Sequence, residues 1–226
     1  MFDFSSQNIT EVRATARNLS APARKYPLFE QRYRAFDLVL AVLALPFVVI
    51  AMLAVAVVIK LDDPSAPVLF RQRRYGLNGK PFNILKFRTM VPNAEALKAT
   101  LLSQSEDQGA GFKLENDPRV TRPGRLLRKT YLDELPQIWN VLRGEMAFVG
   151  PRANSFPPEK LESWQRRRLA VLPGITGSWQ VMTNKPTEFV TRCLIDIEYI
   201  AAKSLRGDCG ILLRTVQVAL LRKTGF

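Results

Sequence analysis

An uninterrupted apolar segment, residues 38–59, constrains this chain more than any other part of its sequence. The segment is 22 residues long and contains no charged or polar side chain. About 20 apolar residues are enough for a helix to cross the hydrocarbon core of a bilayer. A buried core helix is the alternative, although a single small core seldom encloses such a length, and a cleavable signal peptide would start earlier and be shorter. We therefore predict a membrane-bound protein.

Pro46 lies inside this segment, and a proline within a helix removes one backbone donor and bends the helix. As helices, the parts before and after Pro46 are about 12 and 20 Å long, so neither could cross a bilayer alone. Basic residues flank the segment on both sides, which favours two ends on the cytoplasmic face. We predict a proline-broken re-entrant helix, and a kinked spanning helix is the alternative.

The composition limits the chemistry that the rest of the chain can perform. There is no histidine, which excludes mechanisms that use an imidazole base or ligand. The two cysteines are too few for a disulfide scaffold or a four-thiolate zinc site. A net charge of +13 indicates an anionic partner, such as nucleic acid, a phosphorylated substrate or acidic lipids.

Three regions follow from these patterns: a polar arm (1–32), the membrane helix (33–62) and a cytoplasmic domain (63–226). Residues 68–75 and 81–90 are predicted strands joined by a turn at Asn78-Gly79. Helices are predicted over 92–104, 161–172 and 211–223, and a loop over 104–116. The last two helices are basic and amphipathic, which suits a membrane surface or packing on the domain itself. The fold class is therefore α+β, mostly helical with a small β-hairpin, and membrane-associated through the broken helix and amphipathic surface helices.

An acidic pair, Asp133-Glu134, follows a run of cations between Arg119 and Lys129 that contains no acid. The apolar spacing after the pair predicts a helix that ends at Gly144, with Thr130 or Asp133 as its N-cap; the spaced residues are Leu135, Ile138, Trp139 and Leu142. A helix N-terminus holds phosphate and keeps a nearby carboxylate ionised. A carboxylate placed there can attack a phosphoryl group, with Mg²⁺ bound by carboxylate and phosphate oxygens. Simple capping of the helix is the alternative.

Four cations are candidate phosphate ligands: Lys86, Arg88, Arg128 and Arg152. The side-chain period of a strand predicts that the first two lie on one face as neighbours. Solvated or lipid-facing surface charges are the alternative for all four.

Several long segments resemble one family. They are KFRTM (86–90), NDPRVTRPGRLLRKTYLDELPQIWNVLRGEM (116–146), FVGPR (148–152) and PGITG (173–177) followed by QV (180–181). In this order they resemble the bacterial sugar transferases, which are monotopic polyprenyl-phosphate phosphoglycosyl transferases, in their small catalytic-domain form. The resemblance covers residues 33–226 and leaves 1–32 outside it.

The resemblance implies a polyprenyl-phosphate hexose-1-phosphate transferase. Such an enzyme moves a sugar-1-phosphate from a UDP-sugar to undecaprenyl phosphate and releases UMP, the first membrane step of exopolysaccharide, O-antigen or glycoconjugate synthesis. Asp133 would be the nucleophile that forms a covalent phosphosugar intermediate, and also a ligand of Mg²⁺. Glu134 would assist by binding the metal or by managing the proton on the lipid phosphate. The phosphates would be held by Lys86, Arg88, Arg128 and Arg152.

The same resemblance implies a place in the cell. The re-entrant helix would lie in the bacterial cytoplasmic (inner) membrane among its phospholipids, with the catalytic domain facing the cytoplasm and no nucleic acid bound. The resemblance is compatible with a homodimer, but it fixes neither the oligomeric state nor the identity of the sugar. Asp196 and Asp208 are expected to anchor arginines.

Some positions depart from the usual family pattern. Leu45 replaces a serine that often precedes the helix proline, Ala153 replaces the proline after VGPR, and Glu145 and Ala147 replace an aspartate and a serine. Two alternatives to an active enzyme stay open. One is an inactive transferase homologue, which the change at Ala153 makes conceivable. The other is a non-catalytic membrane-surface adaptor that binds polyanions through its surplus positive charge. The acidic pair within a cationic cluster argues against the adaptor, because a polyanion binder has no use for carboxylates there.

Overall fold

The computed structural model describes residues 27–101, 114 and 117–221. Most of the polar arm and nearly all of the loop expected over 104–116 therefore lie outside the described residues. Within them the protein is mostly helical, with two small two-stranded sheets and one long apolar helix.

The apolar segment lies in a single helix, α1, which spans Pro27–Asp62 and contains Pro46. Its 36 residues correspond to about 54 Å at the usual rise per residue. By length and composition α1 could cross a membrane. The helix begins earlier than the predicted residue 33, because residues 27–32 of the expected arm are helical as well.

One face of α1 packs against the rest of the protein on both sides of Pro46. Before the proline, the fully buried Ala41 packs with Ile84 and Val141. After it, Val55 and Ile59 pack with Phe87 and Leu127. The other face exposes a row of large apolar side chains: Val39, Val42, Leu43, Phe47, Ile50, Leu53, Val57 and Leu61.

The N-terminal half of α1 is also tied to the domain by polar contacts. The Arg34 guanidinium donates hydrogen bonds to the carbonyl oxygens of Val141 and Leu142. The carboxylate of Asp37 accepts a hydrogen bond from the backbone N–H of Phe148 at 3.0 Å. The carbonyl groups of Val141 and Leu142 lie at the end of a helix, where backbone acceptors have no partner within the helix. The Arg34 guanidinium supplies the missing donors.

The predicted hairpin is confirmed. Strand β1 (Leu69–Tyr75) pairs antiparallel with β2 (Pro81–Phe87), and a short 3₁₀-helix over Leu77–Gly79 joins them. Asn78 and Gly79 have φ values of 54° and 74°. Such left-handed turns are the reason that an Asn-Gly pair indicates a hairpin.

The segment that carries the acidic pair is a helix followed by a tight turn. Helix α2 (Ala94–Leu101) lies within the predicted 92–104, and α3 spans Arg122–Thr130. Tyr131 then takes a left-handed conformation (φ 58°) and begins a 3₁₀-helix, Leu132–Gln137, which α4 (Ile138–Leu142) continues. The predicted N-caps, Thr130 and Asp133, are therefore wrong. The predicted end of the helix at Gly144, with φ 77°, is confirmed.

A second sheet, which the sequence analysis did not predict, joins distant segments. Strand β3 (Ala147–Val149) pairs parallel with β4 (Gly174–Thr176). A Cβ atom on Gly174 would lie 2.1 Å from the backbone nitrogen of Gly150, so only glycine permits this close approach. The pair brings the VGPR and PGITG motifs together.

The C-terminal part of the chain differs from the two helices predicted there: the first is absent, and the second begins earlier than predicted. The amphipathic helix predicted over 161–172 is wrong, because that segment contains only a 3₁₀-helix, Gln165–Ala170, whose Arg168 and Leu169 are buried. Helix α5 (Phe189–Ala201) packs on this 3₁₀-helix, and α6 spans Leu205–Leu221. Along α6, Leu213 and Val216 are exposed. The remaining 3₁₀-helices are Pro158–Lys160 and Ser178–Val181.

Two buried aspartates hold this part together. Asp196 pairs with Arg168 at 2.6 Å, as predicted. Asp208 was expected to anchor an arginine as well, but it pairs with Lys203 at 2.9 Å and accepts a hydrogen bond from the Tyr199 hydroxyl. No arginine partner of Asp208 occurs among the described ion pairs.

Candidate active site

Strand β2 and the 3₁₀-helix Leu132–Gln137 pack together and form the centre of the candidate site. The Lys86 ammonium lies 2.6 Å from Oε1 of Glu134, and a guanidinium nitrogen of Arg152 lies 3.0 Å from the same oxygen. Glu134 thus holds two of the predicted phosphate ligands in place. Burial alone would raise the pKa of its carboxyl, but Arg152 and Lys86 lower that pKa to about 2.

Asp133 lies beside this group and is 8 % exposed. Its carboxylate makes no hydrogen bond or ion pair with the residues that the structure describes. Burial raises its pKa to about 6, although the nearby charges of Lys86, Arg128 and Arg152 act in the opposite direction. At neutral pH the carboxylate is mostly ionised, and no described residue binds it in competition with a substrate.

Arg128 approaches Asp133 from the last turn of α3. Its Nε donates a hydrogen bond to the Thr89 hydroxyl at 2.9 Å, which fixes the guanidinium against the end of β2. The backbone allows this contact because α3 lies very close to that segment: a Cβ atom on Gly124 would be 2.2 Å from the Thr89 carbonyl oxygen. Burial lowers the pKa of Arg128, and the charge of Asp133 counteracts this effect.

The β3–β4 pair places Arg152. Gly150 and Pro151 follow β3 and are bonded to β4 and its surroundings, since the N–H of Gly150 donates to Thr176 and the carbonyl of Pro151 accepts from Gly174. Arg152 itself forms a bridge with Gly174. The guanidinium therefore extends from a backbone that is fixed on both sides.

Arg88 lies elsewhere. It is buried and pairs with Asp63, just after the end of α1, at 3.1 Å. No contact among the described residues joins Arg88 to either carboxylate of the acidic pair. The hairpin pairing continues past Phe87, since the N–H of Arg88 donates to the Val68 carbonyl oxygen at 2.9 Å, so the predicted shared face with Lys86 and the role in phosphate binding stay predictions.

Arg74 was not predicted as a site residue, yet it lines the same cavity as Lys86, Gln137 and Arg152. The hairpin register was the signal that could have found it. Arg74 pairs with Phe82 and Phe70 pairs with Lys86, so Arg74 lies on the Lys86 face of the sheet. A second addition is Lys185, whose ammonium contacts the Tyr131 hydroxyl at 2.9 Å, two residues before Asp133.

The site fits a magnesium ion only if the substrate contributes ligands. No cluster of three or more acidic, histidine or cysteine side chains capable of holding a metal occurs in the described part of the chain. Mg²⁺ is commonly bound by one or two carboxylates together with substrate phosphates. The carboxylate of Asp133 is free for such a role, whereas one oxygen of Glu134 already binds two cations.

Comparison with known proteins decides the family. The family model described as "Bacterial sugar transferase" matches residues 30–222, which include every candidate residue above. The chain belongs to the bacterial sugar transferase family. The resemblance that the motifs indicate is therefore confirmed.

Several relatives of this sugar transferase are known. The galactosyl transferase CpsE of Streptococcus agalactiae is 40% identical over 190 residues, 83% of this chain and 42% of the relative. The undecaprenyl-phosphate galactose phosphotransferase of Salmonella typhimurium is 37% identical over 196 residues, 84% of this chain and 40% of the relative. The exopolysaccharide production protein PSS of Rhizobium leguminosarum is 38% identical over 205 residues, 85% of this chain and 97% of the relative. The chain thus spans about two fifths of the length of the first two relatives and nearly all of the third.

Proposed function

We propose that this sugar transferase moves a sugar-1-phosphate from a UDP-sugar to undecaprenyl phosphate and releases UMP. One observation carries the proposal: the carboxylate of Asp133 is buried without a hydrogen-bond partner among the described residues and lies beside three cations. The name of the Salmonella relative supports the lipid acceptor, and the name of the Rhizobium relative supports a place in exopolysaccharide synthesis.

In the first step, a carboxylate oxygen of Asp133 attacks the phosphorus atom that bears the sugar. A bond forms between this oxygen and phosphorus, the bond from phosphorus to the bridging oxygen breaks, and UMP leaves with the electron pair. The product is a covalent phosphosugar on Asp133. Lys86, Arg128 and Arg152 offset the charge on the phosphoryl oxygens, which is the main way in which a protein accelerates phosphoryl transfer.

In the second step, a phosphate oxygen of undecaprenyl phosphate attacks the same phosphorus atom, and the bond to Asp133 breaks. The products are an undecaprenyl diphosphate sugar and the free carboxylate. The second pKa of a phosphate monoester is about 6, so the acceptor is largely dianionic at neutral pH and needs little help from a base. Glu134, with its lowered pKa, stays ionised, and we assign it to positioning Lys86 and Arg152.

Mg²⁺ belongs to this proposal as a cofactor. Asp133 would hold the ion together with oxygens of the substrate diphosphate, which matches the preference of Mg²⁺ for carboxylate and phosphate ligands. The ion would supply further compensation of negative charge at the diphosphate.

We also propose that α1 is re-entrant and that the catalytic domain faces the cytoplasm. Both halves of α1 support this, because Ala41 and Ile59 pack against the same domain from either side of Pro46. A helix that crossed the bilayer would carry one of its ends away from that domain. The exposed apolar face of α1 would then contact membrane phospholipids.

Trapping the intermediate tests the proposed reaction. Without lipid acceptor, the purified protein should gain the mass of one sugar phosphate from a UDP-sugar and Mg²⁺, and peptide mapping should place it on Asp133. Asp133→Asn should abolish both the adduct and turnover, because an amide oxygen is a poor nucleophile. Asp62→Asn is the matched control, since Asp62 is exposed at the end of α1 and should react normally. Normal turnover in Asp133→Asn would refute the assigned nucleophile.

A further inference from the structure

A small cavity beside the acidic pair brings together three cations from different parts of the chain. Arg74 comes from β1, Lys86 from β2, and Arg152 from the segment after β3. Gln137 adds an amide to the same lining. Since Arg74 and Lys86 lie on one face of the hairpin, the register of β1 and β2 fixes their spacing.

Arg74 has no acidic hydrogen-bond partner in the described part of the chain. Its guanidinium donates one hydrogen bond, to Oε1 of Gln72 at 2.6 Å, and is partly buried. Glu134, whose charge acts on Arg74, already accepts from Lys86 and Arg152. Burial and the charge of Arg152 lower the pKa of Arg74 to about 10, so it is still charged at neutral pH. The cavity therefore has a surplus of positive charge that an anion would neutralise.

Arg74 lines this cavity together with Lys86 and Arg152, whereas neither Asp133 nor Arg128 belongs to the lining. The charges that act on Asp133 are those of Lys86, Arg128, Arg152 and Glu134, whereas Arg74 is influenced by Arg152 and Glu134. Lys86 and Arg152 thus lie between two ends: one with Asp133 and Arg128, the other with Arg74. A diphosphate whose sugar-bearing phosphate is at Asp133 would extend its second phosphate toward Arg74.

We propose that Arg74 binds the nucleotide-side phosphate of the donor. After the reaction, Arg74 would bind the same phosphate in the nucleoside monophosphate until this product dissociates. This inference rests on the proposed function and adds a subsite to it. A guanidinium suits the role because its planar fork can donate two parallel hydrogen bonds to phosphate oxygens. When the bond to the bridging oxygen breaks, that oxygen stays on the nucleotide phosphate, and Arg74 stabilises the additional negative charge.

Binding of UMP to the full-length protein, measured by calorimetry in detergent, tests the subsite directly. Arg74→Gln should weaken UMP affinity about tenfold or more, since a hydrogen bond to a charged group contributes roughly that factor. Arg74→Lys keeps the charge without the fork and should give an intermediate value. Arg73→Gln is the matched control, because Arg73 is exposed on the opposite face of β1 and should bind UMP as the wild type does.

Kinetics distinguishes this role from a general effect on folding. In Arg74→Lys and Arg74→Gln, the KM for the UDP-sugar should rise while the KM for undecaprenyl phosphate stays unchanged. Equal UMP affinity in the wild type and in a folded Arg74→Gln or Arg74→Lys variant would overturn the subsite, even where the wild type transfers sugar phosphate normally. A rise in the KM for the lipid alone would overturn it as well. A wild type that binds UMP through Arg74 but forms no lipid product would instead refute the proposed function and leave the subsite in place.

Discussion

Two adjacent carboxylates, Asp133 and Glu134, have opposite pKa shifts because they face different partners. Asp133 is buried and Glu134 is largely buried, and burial raises the pKa of a carboxyl. Glu134 contacts Lys86 and Arg152 directly, and these two contacts outweigh its burial. Asp133 has cations nearby but none in contact among the described residues, so burial determines its shift. The two adjacent carboxylates therefore differ in role: Glu134 positions two cations, whereas Asp133 is available to react.

The raised pKa of Asp133 predicts how adduct formation depends on pH. Only the ionised carboxylate is a nucleophile, and its pKa is about 6. The kcat/KM for adduct formation, which reports the protein before substrate and metal bind, should therefore rise with pH, reach half its maximum near pH 6 and level off above pH 7. At pH 5 this kcat/KM should be about tenfold lower than on the plateau, as expected for the loss of one ionised group.

Arg128→Gln gives a matched test of that assignment. Removing the Arg128 charge takes away a contribution that lowers the pKa of Asp133, so the half-maximal pH should move upward. The half-maximal pH separates this shift from weaker binding, because weaker binding alone lowers kcat/KM by the same factor at every pH. A kcat/KM that stays constant between pH 5 and pH 7 in the wild type would contradict the assignment.

At the scale of secondary-structure elements, the short parallel pair β3–β4 has the most consequence for the site. Each strand has only three residues, yet their pairing holds the segment that carries Arg152. The backbones approach so closely that Gly174 has no space for a Cβ atom. A small change in this pair should move the side chain of Arg152 without contacting it.

Gly174→Ala should therefore reduce both activity and stability. The added methyl group would clash with the backbone of Gly150, and overpacking of this kind costs about 1–3 kcal/mol of folding free energy. We expect a lower midpoint of thermal unfolding and a fall in turnover larger than the stability loss explains. Gly210→Ala is the matched control, because a Cβ atom on Gly210 in α6 meets nothing within 4 Å. Unchanged turnover in Gly174→Ala would show that the pair does not position Arg152.

Local patterns predicted the elements that depend on neighbours in the sequence. The hairpin follows from Asn78-Gly79, and the helix end follows from Gly144, because each depends on a left-handed backbone that few residues adopt. The Asp196–Arg168 pair was expected only through the family resemblance. Elements that depend on distant partners were missed. Strands β3 and β4 are too short to show a periodic pattern. Residues 161–172 have the mixture of basic and apolar residues that is typical of an amphipathic helix, but Arg168 is buried in the structure.

The same distinction applies to the site. Lys86, Arg128 and Arg152 were grouped with the acidic pair from the motifs, and the structure brings them together. The pairing of Arg88 with Asp63 could not be predicted, because Asp63 follows α1 and no local pattern joins the two residues. Arg74 was missed because its side chain reaches the cavity only through the register of the hairpin.

At the scale of the whole molecule, α1 is a long apolar helix, compatible with membrane association, that is also part of the protein core. Residues from Arg34 to Ile59 contact the domain along one face, over about 38 Å at the usual helical rise. The opposite face exposes only apolar side chains near Pro46, with Phe47 76 % exposed. A helix buried on one side along such a length favours an arrangement in which both of its flanks are on one side of the bilayer.

Cysteine labelling checks this arrangement. Cys209 is exposed in α6, and Cys193 is buried, so the native protein offers one reactive thiol. Arg32→Cys in a Cys209→Ser background moves that thiol to the exposed start of α1. A membrane-impermeant maleimide should label both forms in inverted inner-membrane vesicles and neither in intact spheroplasts. Labelling of the Arg32→Cys form alone from the outside of spheroplasts would mean that α1 spans the bilayer.

The hydrogen bond from the backbone of Phe148 to Asp37 joins α1 to β3, the strand that leads to Arg152. In the proposed membrane arrangement, this contact would hold the candidate site at one constant depth relative to the acyl chains. An acceptor lipid with its phosphate at the headgroup level could then meet the nucleophile by lateral diffusion, without being lifted out of the bilayer. In that arrangement, Asp37 would set the height at which the proposed chemistry takes place.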